Sequence, residues 1–212
     1  MLTVLVVNTK GGCGKTTTAT HLASAFAHAG LTTALADCDR QRSSLGWLDT
    51  RPRTVPQVSG LDWAKSEAAA PKRTQRLVID APAAMRFGRL EDLIRAADVI
   101  VVPLLPSVFD EQSTAKLIAK VETLKPVRRG KKVLGLVGNR LRPRSRAAAR
   151  LETFVGGLEQ ELVGRIPDRA IYPDVALEGL SVFDLPGAKG SQLRADWLDV
   201  IRFCETRGET RG

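Results

Sequence analysis

The first seventeen residues constrain this chain more than any others. Leu2-Thr3-Val4-Leu5-Val6-Val7 is a nearly unbroken apolar run of strand length, and from Thr16 apolar side chains recur at helical spacing (Ala19, Leu22, Ala23, Phe26, Ala27) up to Gly30. Between them lies Asn8-Thr9-Lys10-Gly11-Gly12-Cys13-Gly14-Lys15-Thr16-Thr17. A glycine-rich loop that leaves a buried strand and opens a helix turns backbone N–H groups inward on phosphate, and the helix N-terminus adds partial positive charge. Lys15 falls where an ammonium reaches β- and γ-phosphates, and Thr16 where a hydroxyl can ligate Mg²⁺. A turn with incidental lysines would not bring strand, loop, helix and Lys-Thr into one register. The usual spacing G-x-x-x-x-G-K-[ST] puts glycine at position 9. This chain has Thr9 there and a second lysine, Lys10, before the Gly11-Gly12 pair.

The remainder reads as the fold such a loop requires. Short Val/Ile/Leu-rich runs at Thr33–Ala36, Leu77–Ile79, Val99–Leu105 and Val133–Val137 barely alternate, the pattern of strands covered on both faces. Helix-period segments at Phe109–Leu124, Pro143–Leu158 and Gln192–Cys204 separate or follow them. Strands alternating with helices predict an α/β, doubly wound, mostly parallel sheet with helices on both faces. At 212 residues the chain is expected to form one domain over residues 1–205, with a disordered tail at 206–212 and a loop plus short helix over Arg51–Arg76. No apolar run reaches membrane-spanning length. Cys13, Cys38 and Cys204 form no C-x-x-C pair, which fits a reducing, cytoplasmic setting and neither a disulfide framework nor a zinc site.

Charge is unevenly placed. Residues 116–150 hold twelve Lys/Arg and a single acid, Glu122, more than the whole chain's net +9. That is the footprint of a polyanion binder, although an arginine-rich solvated face would look similar. Arg142, Arg144, Arg146 and Arg150 are the best candidates for phosphate contacts, aided by Lys189 and Arg194.

Several segments together carry a resemblance. Lys10-Gly11-Gly12-Cys13-Gly14-Lys15-Thr16-Thr17 resembles the deviant Walker A loop of the ParA/MinD family of P-loop ATPases. Asp37-Cys38-Asp39-Arg40-Gln41 resembles its D-x-D-P-Q segment, with Arg40 in place of proline. Leu77-Val78-Ile79-Asp80-Ala81-Pro82 resembles its Walker B strand and switch II. Val101-Val102-Pro103-Leu104-Leu105-Pro106-Ser107 with Asp110 resembles P-x-x-P-S-x-x-D, and Ile166-Pro167-Asp168-Arg169 through Gly179-Leu180-Ser181-Val182-Phe183 resembles I-x-x-R…G-x-S-V.

The resemblance implies an ATPase that uses ATP and Mg²⁺. Lys10, Gly11, Gly12, Cys13, Gly14, Lys15, Thr16 and Thr17 would hold the phosphates, Asn139 the adenine, and Thr16, Asp39 and Asp80 the metal. It assigns catalysis to Lys10, Lys15 and Asp39, with Lys10 crossing to the partner's ATP in a nucleotide-bound homodimer and Asp39 orienting water. Hydrolysis would be weak until stimulated by a ParB-type or cargo-adaptor protein. Because the chain opens directly on its first strand, the likeness is to small ParA-type proteins that bind double-stranded DNA without sequence preference and position cargo over the nucleoid. Asp196 and Asp199 make Gln192–Cys204 a core-packing helix and not a membrane anchor. A MinD-like membrane-associated regulator and a small-molecule ATP-dependent ligase are the alternatives in the same fold.

Overall fold

The computed structural model describes residues 1–209, with side chains through Thr206. In chain order the elements are β1 (Leu2–Val6), α1 (Lys15–His28), β2 (Thr33–Asp37), α2 (Ser43–Thr50), β3 (Ser59–Asp62), β4 (Arg76–Asp80), α3 (Phe87–Ala96), β5 (Val99–Leu104), α4 (Val108–Glu122), α5 (Lys125–Arg128) and β6 (Val133–Leu141). They continue with α6 (Arg146–Gly156), β7 (Glu161–Pro167), α7 (Ile171–Leu177), a 3-10 turn (Val182–Asp184), α8 (Gly187–Ala195) and α9 (Leu198–Glu209). The strands form one seven-stranded sheet in the order β3-β2-β4-β1-β5-β6-β7, and every neighbouring pair is parallel. The order reverses beside β1, so the loop after β1 opens at the switch point where α/β sheets bind ligands.

Both faces of the sheet are covered. Leu5 and Val7 of the first strand segment point into a core with Leu93, Ile94, Leu117 and Leu151 from α3, α4 and α6. Val4 and Val6 point the other way, against Leu22 and Phe26 of α1, Leu193 of α8 and Trp197, Val200 and Phe203 near α9. That is why β1 reads as continuously apolar. Each such side chain contributes about 1.5–3 kcal/mol by leaving water.

Three expectations change. Arg51–Arg76 contains β3 and no helix; β3 is an edge strand in which only Leu61 is buried, so it lacks the apolar run by which the other strands are recognised. Gln192–Cys204 is not one helix: it breaks between α8 and α9, and Trp197 at the break is 1% exposed and stacked on His21 at 4.7 Å. It does pack into the core, as its aspartates suggested. The last helix runs through Glu209, into the segment expected as a tail, and residues 210–212 lie outside those described. Edge strand β7, in which Glu161 and Arg165 are exposed, and the helix α3 are further elements that the sequence reading did not assign. No helix among the described residues is long and apolar enough to cross a membrane.

Candidate functional site: a phosphate cleft at the strand ends

The loop after β1 is held from below by Asn8, which is fully buried. Its Nδ2 donates to the Pro103 carbonyl at 2.9 Å and to Thr114 Oγ1 at 3.0 Å, while its Oδ1 accepts from the Lys10 amide at 3.2 Å. Gly12 and Gly14 take left-handed φ values of 77° and 97°. At Gly14 space also forbids a side chain, because a Cβ there would lie 1.9 Å from Asn139 Nδ2. Asn139 stands inside β6, and its Nδ2 donates to the Cys13 carbonyl at 2.9 Å while its Oδ1 accepts from the Arg140 amide at 2.9 Å. It braces the loop, and each end of its amide keeps one further hydrogen-bonding position.

The two lysines are placed differently. Lys15 is 8% exposed and its Nζ donates to the Lys10 carbonyl at 3.0 Å, a contact phosphate oxygens can replace. The Cys13 thiol donates to the same carbonyl at 3.3 Å; Cys13, like Cys38 and Cys204, is buried and free. Burial pushes all three thiols up, so none is a ready thiolate at neutral pH. Lys10 is half-buried, with no ion-pair partner among the described residues.

Three carboxylates gather at the ends of β2 and β4. Asp37 and Asp80 are direct partners in the parallel register. Asp37 is fully buried; it accepts from the Asp39 amide at 2.9 Å and from the Ser44 and Leu45 amides at 2.9 and 3.1 Å, so it caps α2 and positions Asp39. Asp80 is 3% exposed, and its Oδ1 is buried without a hydrogen-bond partner. Burial pushes its pKa up to about 7, helped by the Asp37 charge and opposed by the Thr16 and Ser44 hydroxyls and Lys15. A desolvated carboxylate with an orphaned oxygen beside a loop threonine is a donor set that suits a hard divalent cation. Asp39, half-exposed, also lines the cleft.

The cleft, about 350 Å³, is bounded by Gly11, Gly12, Gly14, Lys15, Thr16 and Thr17 of the loop and helix start, by Asp39, Gln41 and Ser43 after β2, by Asp80 and Ala83 at the end of β4, and by Arg140 of β6. A second cavity of about 580 Å³ continues from Thr17 past Asn139, Arg140 and Arg169 to Tyr172 and Pro173. Arg140 borders both. It is a non-glycine residue at φ 51°, its amide is pinned by Asn139, and it has no ion-pair partner among the described residues. The sequence reading missed its role, because a place beside Asn139 does not show the left-handed turn that brings the residue to the cleft. Ser107 caps α4, accepting from the Asp110 amide and donating to the Asp110 carboxylate at 2.6 Å, so this pair of the P-x-x-P-S-x-x-D segment shapes a helix start beside the loop. In the last matched segment Ser181 and Asp184 form a capping box that holds Arg51.

The basic stretch is not one patch. Strand β6, nine residues and about 30 Å long, divides it. Arg140, Arg142, Arg144 and Arg146 lie at the cleft end, whereas Lys125, Arg128, Arg129 and Lys131 lie at the opposite end. Arg142 pairs with Asp168 at 3.1 Å, and Arg150 spends its guanidinium on Glu111 and the Pro106 carbonyl, leaving Arg144 and Arg146 exposed without ion-pair partners among the described residues. Lys189 and Arg194 belong to α8 on the other face of the sheet, and Arg194 donates to the Leu185 carbonyl at 2.8 Å, so they do not join that group.

A parallel switch-point sheet carrying a phosphate loop, a lysine-threonine pair and an orphaned strand-end carboxylate defines a P-loop nucleotide-binding protein. Residues 4–182 match the CobQ/CobB/MinD/ParA nucleotide binding domain, and the chain belongs to that family. It is 30% identical over 206 residues to the maintenance of carboxysome distribution protein A of Halothiobacillus neapolitanus, covering 94% of each chain. In fold it is similar to MinD in the MinC:MinD cell division protein complex of Aquifex aeolicus (TM-score 0.74, 17% identity, 97% of this chain and 96% of that one). It is likewise similar to the ATP complex of a Cyanothece McdA variant (TM-score 0.72, 17% identity, 97% and 96%).

Proposed function

We propose that this chain is an ATPase that dimerises on ATP, binds DNA without sequence preference and positions a large cellular cargo over the nucleoid, its weak hydrolysis stimulated by a cargo-bound partner. The observation that carries the reading is the division between two lysines on one loop. Lys15 points in to the cleft. Lys10 is not among the residues that bound the cleft and has no ion-pair partner among the described residues, so its charge is available to phosphates on a second copy. Full-length similarity to a protein named for carboxysome distribution supports positioning as the task and a protein-bounded assembly as the cargo.

The residues at the cleft divide the work. The loop amides from Gly11 to Thr17 and the Lys15 ammonium bind the β- and γ-phosphates. Thr16 and Asp80 would hold Mg²⁺, which when bound supplies charge neutralisation at the same oxygens. Asp39, fixed through Asp37, orients the attacking water. Asn139 and Tyr172 border the cavity available to the base. Arg144 and Arg146 sit at the cleft end, so pairing two chains through their clefts brings their charges together, and phosphate affinity rises steeply with the number of contacts.

The test is size-exclusion chromatography and DNA retention with and without ATP and Mg²⁺. A shift to dimer with ATP is expected, coupled to a gain in retention on random-sequence duplex over the nucleotide-free protein, and Arg144→Glu with Arg146→Glu should abolish that gain while nucleotide binding survives. A protein that stays monomeric with ATP, or that binds a single DNA sequence, overturns the reading.

A further inference from the structure

The end of the sheet farthest from the nucleotide cleft carries a second basic surface. Lys125, Arg128, Arg129 and Lys131 immediately precede β6 and are exposed. The segment is an ordered turn: the Arg129 amide donates to the Lys125 carbonyl at 3.1 Å and the Lys131 amide to the Pro126 carbonyl at 2.9 Å. Lys72 and Arg73, also exposed, precede β4 on the same edge. The order β4-β1-β5-β6 separates the two groups by three strand spacings, about 14 Å.

None of these six cations has an ion-pair partner among the described residues, and the carboxylates between them are engaged. Asp98 accepts from the Thr3 amide at 2.9 Å and faces Lys132 at 4.0 Å, and Glu205 holds Arg76. Glu159 and Glu161 lie one strand beyond, at the start of β7. Among the described residues the result is a row of charge without ion-pair partners at the strand starts, about 30 Å along β6 from Arg142, Arg144 and Arg146.

We propose that this strand-start edge is a second surface for the phosphates of duplex DNA, one that works without nucleotide. The proposal rests on the reading above only for the identity of the polyanion. None of these six residues lines either cavity or bonds to the phosphate loop, so nucleotide does not switch the edge. Because the two basic ends face opposite ways with the buried sheet between them, a chain using both joins two DNA segments. Backbone contacts read charge and not bases, so binding here ignores sequence and weakens with salt.

The experiment titrates random-sequence duplex with nucleotide-free protein across a salt series. Wild type and Arg144→Glu/Arg146→Glu should bind alike. Arg128→Glu/Arg129→Glu/Lys131→Glu should bind at least tenfold more weakly, with a log–log salt slope shallower by about three, roughly one for each lost contact. Circular dichroism and nucleotide binding of that variant should match wild type. With ATP, wild type should retain a labelled duplex on an immobilised one, and the triple variant should not. Nucleotide-free wild type that fails to bind DNA, or an unchanged slope in the triple variant, overturns the proposal, as does binding of an acidic polypeptide in preference to duplex. Loss of the ATP-dependent dimer with the nucleotide-free binding intact would overturn the positioning function and leave this surface standing.

Discussion

Asp37 and Asp80 are register partners on adjacent strands, yet one carboxylate is saturated by three backbone amides while the other keeps an oxygen with no partner. The first builds the turn that carries Asp39; the second keeps the oxygen that we propose for Mg²⁺. Two like residues at equivalent heights thus take separate tasks, because the Ser44 and Leu45 amides at the start of α2 fill the first carboxylate while the second keeps a buried Oδ1 without a donor. Asp39→Ala should keep nucleotide binding and the ATP-dependent dimer while turnover falls at least a hundredfold, since only the orientation of water is lost. Phosphate release together with size-exclusion chromatography checks it, and a monomeric variant would assign Asp39 to assembly.

The lysines should separate binding from association. Lys15→Ala should abolish nucleotide binding, whereas Lys10→Ala should bind nucleotide and remain monomeric. Titration with a fluorescent ATP analogue, followed by sizing, measures both.

Gly14→Ala should abolish nucleotide binding even though it adds a single methyl. The methyl needs the space of Asn139 Nδ2, and φ 97° strains any side chain. Asn139→Ala removes the obstacle and leaves the strain, so the double variant should not recover. The same titration reads both.

Arg140→Ala should lower nucleotide affinity tenfold or more, the scale of one hydrogen bond to a charged group, about 1.5–3 kcal/mol. Arg140→Lys should recover only part of it. An affinity equal to wild type would remove Arg140 from the nucleotide site.

Stability should carry an acid limb from Asp184. Burial pushes its pKa up, but the Arg51 guanidinium, His28 and the Ser181 amide outweigh that and hold it at about 2. An unfolded aspartate titrates near about 3.9, so the stabilisation is complete above that pH and disappears as pH falls toward 2. Arg51→Ala removes the guanidinium from a buried carboxylate and leaves it only His28 and the Ser181 and Ser24 donors, a loss of about 3–5 kcal/mol at neutral pH, and should flatten the limb in urea titrations run from pH 5 to pH 2.

Taken alone, the sequence determined the phosphate loop, the central strands and the parallel α/β class. These are local signals: a glycine spacing, an unbroken apolar run, a helical period. Edge strand β3 escaped it because one buried leucine makes no pattern, and the break at Trp197 escaped because the apolar period continues while the chain turns to stack on His21. Only the tertiary structure decided which arginines stand together. Arg142 and Arg128 share one basic stretch, but a buried strand carries its two ends to opposite poles, and Arg150 is drawn off by Glu111. Arg140 became a cleft residue through a left-handed backbone angle and the hold of Asn139. Charge density along a chain counts residues; a sheet sorts them by the end of the strand on which they fall.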